Sequence, residues 1–196
     1  MSQAKPNATA IDGTDLYIGI VAARYNNDLV EDLLQRVRAT LRKARVAAGS
    51  IKTLRVPGAA ELPYVANMLA QTEEYDCIIA LGIILAGDTQ HHEILANSTA
   101  IALQGIALQS EIPIINGILT VHTREQALER INGPHDRGAE FANAALEMAW
   151  HHVQLGDYLD ALDAEAERDA REAEGYANDE EEDDPFGNTR SPFDKN

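Results

Sequence analysis

Near the middle of the chain, Gly87-Asp88-Thr89-Gln90-His91 sets a hydroxyl and an imidazole two positions apart, where an apolar run gives way to a long helical segment. That order places Asp88, Thr89 and His91 at a helix N-terminus beside the carboxyl end of a strand. Unsatisfied backbone N–H groups and the positive end of the helix dipole favour an anion there. An imidazole, with a free pKa near roughly 6.5, moves protons at neutral pH. The combination predicts a phosphate held beside a proton-transfer group. The Asp88 carboxylate would repel such a guest, so its backbone N–H is the part that suits the site.

Other stretches carry chemistry that fits the same corner. Tyr25-Asn26 offers a ring face and an amide that both donates and accepts, although an aromatic in a turn also serves as packing. Val56-Pro57-Gly58-Ala59-Ala60-Glu61-Leu62-Pro63 leaves bare backbone at Gly58, Ala59 and Ala60 that a flat heterocycle can approach closely. Glu61 either accepts hydrogen bonds from ligand hydroxyls or serves the start of a helix. Asn116-Gly117 and Leu119-Thr120 end another apolar run and are expected to line the same crevice. Arg130 has Gln126 and Ala127, not carboxylates, four and three positions before it. It is a candidate bidentate clamp for phosphate, or else a solvated surface cation, and Arg137 is a second candidate. No two histidines stand four apart and Cys77 is the single cysteine, so no metal site is expected. There is neither a G-x-G-x-x-G nor a Walker loop to suggest a dinucleotide or nucleoside triphosphate.

Strands and helices must hold these residues, and the hydrophobic pattern places them. Strands are predicted at Leu16–Ala23, Ser50–Val56, Cys77–Leu81 and Ile112–Leu119, the third apolar throughout and so buried on both faces. A turn bounded by Gly82 and Gly87 follows that third strand. Apolar residues at Val30, Leu33, Leu34, Val37 and Leu41 predict an amphipathic helix after a capping turn at Tyr25–Asp28. Further helices are predicted at Ala59–Glu74, with Pro63 tolerated in the first turn, at His91 to about Gln109, at Thr123–Ile131, and from the end of the loop Asn132–Gly138 through Trp150. Strands alternating with helices across short connections predict a four-stranded parallel sheet covered on both faces, a three-layer α/β/α sandwich.

The 196 residues suffice for one domain and a tail, and the domain is expected to span 16–152 after an arm at 1–15. Charge is unevenly placed. Of the net −16, the stretch from His151 onward holds fifteen Asp/Glu against four Lys/Arg, a net of −11. Asp179–Asp184 is six consecutive carboxylates. Residues 153–196 therefore read as an acidic, largely disordered tail, in which 157–174 could form an exposed helix. A docking role for a basic partner is the alternative. So acidic a chain is not expected to bind nucleic acid. One cysteine, no membrane-length apolar stretch and no signal-peptide pattern predict a soluble, cytoplasmic protein with no membrane partner.

Taken together, Val56-Pro57-Gly58-Ala59 with Glu61 and Pro63, Ala80-Leu81-Gly82 with Gly87-Asp88-Thr89-Gln90-His91, and Gly117-Ile118-Leu119-Thr120 resemble the lumazine synthase family from about Ile18 to Trp150. The resemblance implies a flavodoxin-like sandwich. It also implies condensation of 5-amino-6-(D-ribitylamino)uracil with 3,4-dihydroxy-2-butanone 4-phosphate to 6,7-dimethyl-8-ribityllumazine, releasing phosphate and water without a cofactor. By position, Tyr25 would stack on the pyrimidine with Asn26 beside it. Ala59, Ala60 and Glu61 would hold the ring and ribityl chain, and backbone of Ile83, Ile84 and Leu85 would meet the ring edge. Asp88 and Thr89 would receive the phosphate, His91 would transfer protons and Arg130 would clamp. Asn116 stands where the family often has a Phe that covers the ring from a neighbouring subunit, and Arg137 where Lys is common. Ala86 replaces a common basic residue, and the loop Asn132–Gly138 is about a residue short of one family form. The family assembles as homopentamers, some closing into icosahedral shells, so at least a pentamer is expected here. Two alternatives share the fold: an archaeal-type riboflavin synthase relative and a non-catalytic flavin or lumazine binder.

Overall fold

The computed structural model describes residues 10–182, and their side chains from 10 to 171. Four strands form one parallel sheet: β1 (Ile18–Ala23), β2 (Ile51–Val56), β3 (Cys77–Leu85) and β4 (Ile114–Val121), in the order β2-β1-β3-β4. Between them run α1 (Asn27–Lys43), α2 (Leu62–Ala70) after a 3-10 turn at Ala59–Glu61, and α3 (His91–Ser110). Then follow α4 (Arg124–Asn132) and α5 (Arg137–Glu182). This is a flavodoxin-like, three-layer α/β/α sandwich.

Two apolar cores lie on opposite faces of the sheet. Alternate residues of β1 and β3 (Ile18, Ile20, Ala22; Cys77, Ile79, Leu81) pack with α1, α4 and α5. Their neighbours Val21, Ile78 and Ala80 face α2 and α3. A central strand flanked on both faces has no polar side to show, which is why β3 reads as a continuous apolar run. Cys77 is a fully buried thiol in that strand, and burial pushes its ionisation far up, as for a small apolar core residue. On α1 the buried set is Leu29, Val30, Leu33, Leu34, Val37 and Leu41, the face that the helical spacing predicts.

Several boundaries differ from the sequence-based expectation. The predicted turn from Gly82 is instead strand: β3 continues to Leu85, with Gly82, Ile83, Ile84 and Leu85 in register with Ile118, Leu119, Thr120 and Val121. The glycine is there for closeness rather than for a turn, because a Cβ would sit 3.2 Å from Leu62 Cδ1 of α2. β4 begins after Pro113 and runs two residues beyond Leu119, so Asn116 lies inside the strand. Helix α2 stops at Ala70, with Glu73 at positive φ in the turn that follows.

The chain forms two compact units, Met1–Gln154 and Leu155–Asn196. In the second, α5 runs to Glu182, through the stretch 157–174 that the sequence reading allows as an exposed helix and beyond it. The carboxylates Asp183 and Asp184, the rest of the C-terminal stretch and residues 1–9 of the predicted arm lie outside the described residues. Among the described residues no helix is long and apolar enough to cross a membrane.

Candidate active site

Chain direction reverses its lateral course at β1, which sends α1 to β2 on one side while β3 lies on the other. A crevice forms at such a switch point, outside the carboxyl ends of the two strands. Asn26 spans it. The residue sits in the left-handed region at φ 55, and its Nδ2 donates to the Ile83 carbonyl at 2.9 Å. The expected side-chain cap of α1 is not made. An Asn tolerates this backbone better than a bulkier residue, and the amide pins the β1 loop to the end of β3.

The wall beside Asn26 is built on Gly58. Its amide donates to Glu61 Oε2 at 2.8 Å, which closes the short turn before α2. A Cβ on Gly58 would lie 3.1 Å from Tyr25 Cδ2 and 3.3 Å from that same carboxylate oxygen. Both the Tyr25 ring and the Glu61 side chain therefore come together over a backbone with no side chain. Tyr25 N–H donates to the Pro57 carbonyl at 3.0 Å, while its ring remains 74% exposed. The helix-start role of Glu61 is thus the one observed, one carboxylate oxygen serving the turn while the residue stays exposed. Ala59 is buried and Ala60 exposed.

Two groups that the sequence reading passed over tie the elements at this end of the sheet. Arg55 on β2 donates to the Ala23 carbonyl at 3.1 Å, to Asn27 Oδ1 at 2.6 Å and to Glu31 Oε2 at 2.9 Å. One guanidinium thereby fastens β2 to the end of β1 and the first turns of α1. At the same end of the sheet, Asp28 in the first turn of α1 pairs with Arg124 in the first turn of α4. The arginine hydrogen bond holds the Asp28 carboxyl below its ordinary range. A charge repeatedly offered between apolar residues, as in Leu54-Arg55-Val56, is the sequence signal for such an edge-strand clamp.

Gly87, Asp88, Thr89, Gln90 and His91 follow β3 as an exposed loop that opens α3. Helix α3 packs against the Ala59–Glu61 turn. Gly87 has open space where a Cβ would be. His91 is exposed, with no side-chain hydrogen bond to the described residues. The neighbouring His92 is half-buried, lies 2.9 Å through Nδ1 from the Thr89 carbonyl and meets the His122 ring edge-on at 6.4 Å. Since a carbonyl only accepts, the contact assigns the proton to Nδ1 of His92.

Within the single chain, Asn26 meets Ile83, and Tyr25 and Glu61 meet over Gly58 next to Ala59 and Ala60, while Asp88, Thr89 and His91 follow the end of β3 after Ile83, Ile84 and Leu85. Asn116, Arg130 and Arg137 make other contacts. Asn116 is level with Ala80, well short of the strand end, and exposed on the edge strand, its Oδ1 accepting from the Ile118 amide at 3.1 Å. Thr120 and Val121, rather than Asn116, are the β4 residues beside Ile84 and Leu85. Arg130 stands on α4, on the sheet face opposite α3, and donates to the Gln126 carbonyl at 3.3 Å. Arg137 opens α5 and pairs with Glu140 at 2.5 Å.

A parallel α/β sandwich whose switch-point crevice has a bare-backbone wall, an aromatic ring and a helix start defines a class. In folds of this class small ligands bind outside the carboxyl ends of the strands at the switch point, and helix starts favour anions. Comparison with known proteins takes this further. The sequence model of the 6,7-dimethyl-8-ribityllumazine synthase family matches residues 15–152. A 6,7-dimethyl-8-ribityllumazine synthase from Paracidovorax citrulli is 40% identical over 145 residues, 74% of this chain and 92% of the relative. One from Nitrosospira multiformis is 41% identical over 139 residues, 71% and 85% of the two chains. One from Thermobifida fusca is 38% identical over 174 residues, covering 87% of this chain and 96% of the relative. The chain belongs to the 6,7-dimethyl-8-ribityllumazine synthase family.

Proposed function

We propose that the chain is a transferase of riboflavin biosynthesis, condensing 5-amino-6-(D-ribitylamino)uracil with 3,4-dihydroxy-2-butanone 4-phosphate to 6,7-dimethyl-8-ribityllumazine. Phosphate and water are released. The observation that carries the reading is the family match over residues 15–152, supported by the meeting of Tyr25 and Glu61 over Gly58 and by the Gly87–His91 helix start at the end of β3. The dismutation performed by a riboflavin synthase, and simple flavin binding, draw no support from the relatives named above.

In this reading Tyr25 stacks on the pyrimidine, and Asn26 stiffens the floor beneath it. Ala59 and Ala60 let the ring approach the backbone, and Glu61 accepts from ribityl hydroxyls with the capacity its turn leaves free. Backbone of Ile83, Ile84 and Leu85 meets the ring edge. Amides of Asp88 and Thr89 and the Thr89 hydroxyl receive the phosphate. His91 moves protons on and off the amine nitrogen and the ketone oxygen as the carbon–nitrogen bond forms and water leaves. Charge that builds as phosphate departs is stabilised by the helix start and by a guanidinium. Holding two substrates in register supplies much of the rest, up to about 7–11 kcal/mol in favourable cases.

The working unit is at least a homopentamer in this proposal, with closure into a shell left to solution measurement. Asn116 on the exposed edge strand and Arg130 on the far sheet face fit the crevice of a neighbouring copy better than their own. Helix α3 adds an exposed stripe of Ile94, Ile101 and Leu108 at seven-residue spacing, the last 85% exposed, which a second copy would cover. Arg130 and Arg137 are assigned to phosphate on this basis, and the protein is assigned to the cytoplasm. Incubation with both substrates, followed by lumazine absorbance and phosphate release, tests the activity. Equal amounts of the two products are expected, and the absence of both would overturn the reading.

A further inference from the structure

The second compact unit presents a surface that the condensation does not use. Leu155, Tyr158, Leu159 and Leu162 on α5 are each between 42% and 60% exposed. At about 100° per residue these four, with Ala166 and Ala170, fall in one stripe roughly 120° wide and about four turns long. That is the apolar face of an amphipathic helix, left uncovered.

The charges around the stripe are sorted. Asp163 and Glu165 lie along its two edges and Asp169 interrupts its far end, whereas Arg168 and Arg171 project from the opposite side. Arg171 is turned to Glu167, one helical turn before it, at 3.5 Å. Across 155–171 there are six carboxylates and two arginines. A second copy packed along this stripe would set Asp163, Glu165 and Asp169 against carboxylates of its own kind. Like charges so placed are destabilising. A helix with the same apolar spacing but lysines or arginines on its edges would meet carboxylates on both sides.

We infer that the stripe Leu155–Tyr158–Leu159–Leu162 is a docking surface for a basic amphipathic helical segment of another protein, the apolar residues giving contact area and Asp163, Glu165 and Asp169 selecting its sign. The surface is independent of the proposed reaction, since none of these residues belongs to the crevice.

The test uses the full chain and a fluorescent helical peptide of leucine and lysine with leucines at i, i+3, i+4 and i+7. Controls are the same composition scrambled and a leucine–glutamate counterpart. Fluorescence anisotropy should show saturable binding of the patterned basic peptide, weakened by salt, and none of the acidic one. Leu159→Ser with Leu162→Ser, and separately Asp163→Lys with Glu165→Lys, should each weaken binding by about tenfold or more, with helix content unchanged by circular dichroism. Three results would overturn the inference. The scrambled peptide could bind as tightly as the patterned one, which needs no variant. The leucine variant could bind as the parent does, leaving only general attraction to an acidic chain. The leucine variant alone could sediment as a smaller assembly than the parent, which would make the stripe a contact between copies.

Discussion

Two regions proposed to form the site are built on different terms. The one proposed for the heterocycle is tied within the chain: Asn26 to the Ile83 carbonyl, Gly58 to Glu61, and Arg55 to Ala23, Asn27 and Glu31. The one proposed for the anion is an exposed loop and helix start, with the His92–Thr89 contact its one side-chain hydrogen bond among the described residues. Arg130 lies on α4, on the sheet face opposite α3, and Arg137 is paired with Glu140. A flat ring needs a preformed slot, because shape complementarity fails over fractions of an ångström. An anion is drawn by field and dipole, which tolerate an open approach. In the proposed site, one half is held by contacts within the chain, and the other would take its guanidinium from a neighbouring copy.

The sharpest way to break this contrast lies at His91. His91→Ala should lower kcat by about 10²–10⁴-fold while the pyrimidine binds nearly as before, measured by steady-state kinetics alongside equilibrium titration. A matching loss of pyrimidine affinity would merge the two halves. Next is Arg130→Ala, expected to raise KM for the phosphate substrate by roughly 10–100-fold, the worth of charge-assisted hydrogen bonds to a dianion. Mixing Arg130→Ala subunits with His91→Ala subunits sharpens it. Recovered activity is expected if the arginine serves a neighbour's crevice, and none if it serves its own.

Smaller effects belong to the tied half. Asn26→Ala removes the hydrogen bond to Ile83 and should raise KM for the pyrimidine several-fold, for a net bond of about 1 kcal/mol, with KM for the phosphate substrate unchanged. The smallest concerns the Asp28–Arg124 pair. Because the folded protein holds the Asp28 carboxyl below its ordinary value of 3.8, the pair's contribution is complete above that pH and lost as pH falls through the lowered folded value. Asp28→Asn should therefore lower Tm slightly at pH 7, and the gap between variant and parent should close on acidification below about pH 4, followed by thermal denaturation monitored by circular dichroism. A gap that persisted at low pH would detach the effect from ionisation.

Much of this architecture can be read directly from the chain. The unbroken apolar run at Cys77 cannot be satisfied by a surface strand, and the spacing Leu29, Val30, Leu33, Leu34, Val37, Leu41 admits one helix face. Local composition also marks Gly58–Glu61 and Gly87–His91, because bare backbone and a hydroxyl beside an imidazole are chemical facts before any folding. Strand ends were harder. Gly82 resembles a turn residue locally, yet it is strand because Leu62 of α2 approaches it and Ile118 pairs beside it, both distant in sequence.

What the sequence determined by itself is the alternation of elements, the buried identity of β3, and the residue types at each strand end. These depend on periodicity and side-chain chemistry, which act within a few positions. Only the tertiary structure decided that Asn26 reaches Ile83, that Arg55 fastens two strands to α1, that Thr120 and Val121, rather than Asn116, stand beside Ile84 and Leu85, and that Arg130 lies on the sheet face opposite α3. Such pairings are set by sheet register and by the face on which each helix lands. Both come from the packing of the whole chain, and no local pattern encodes them.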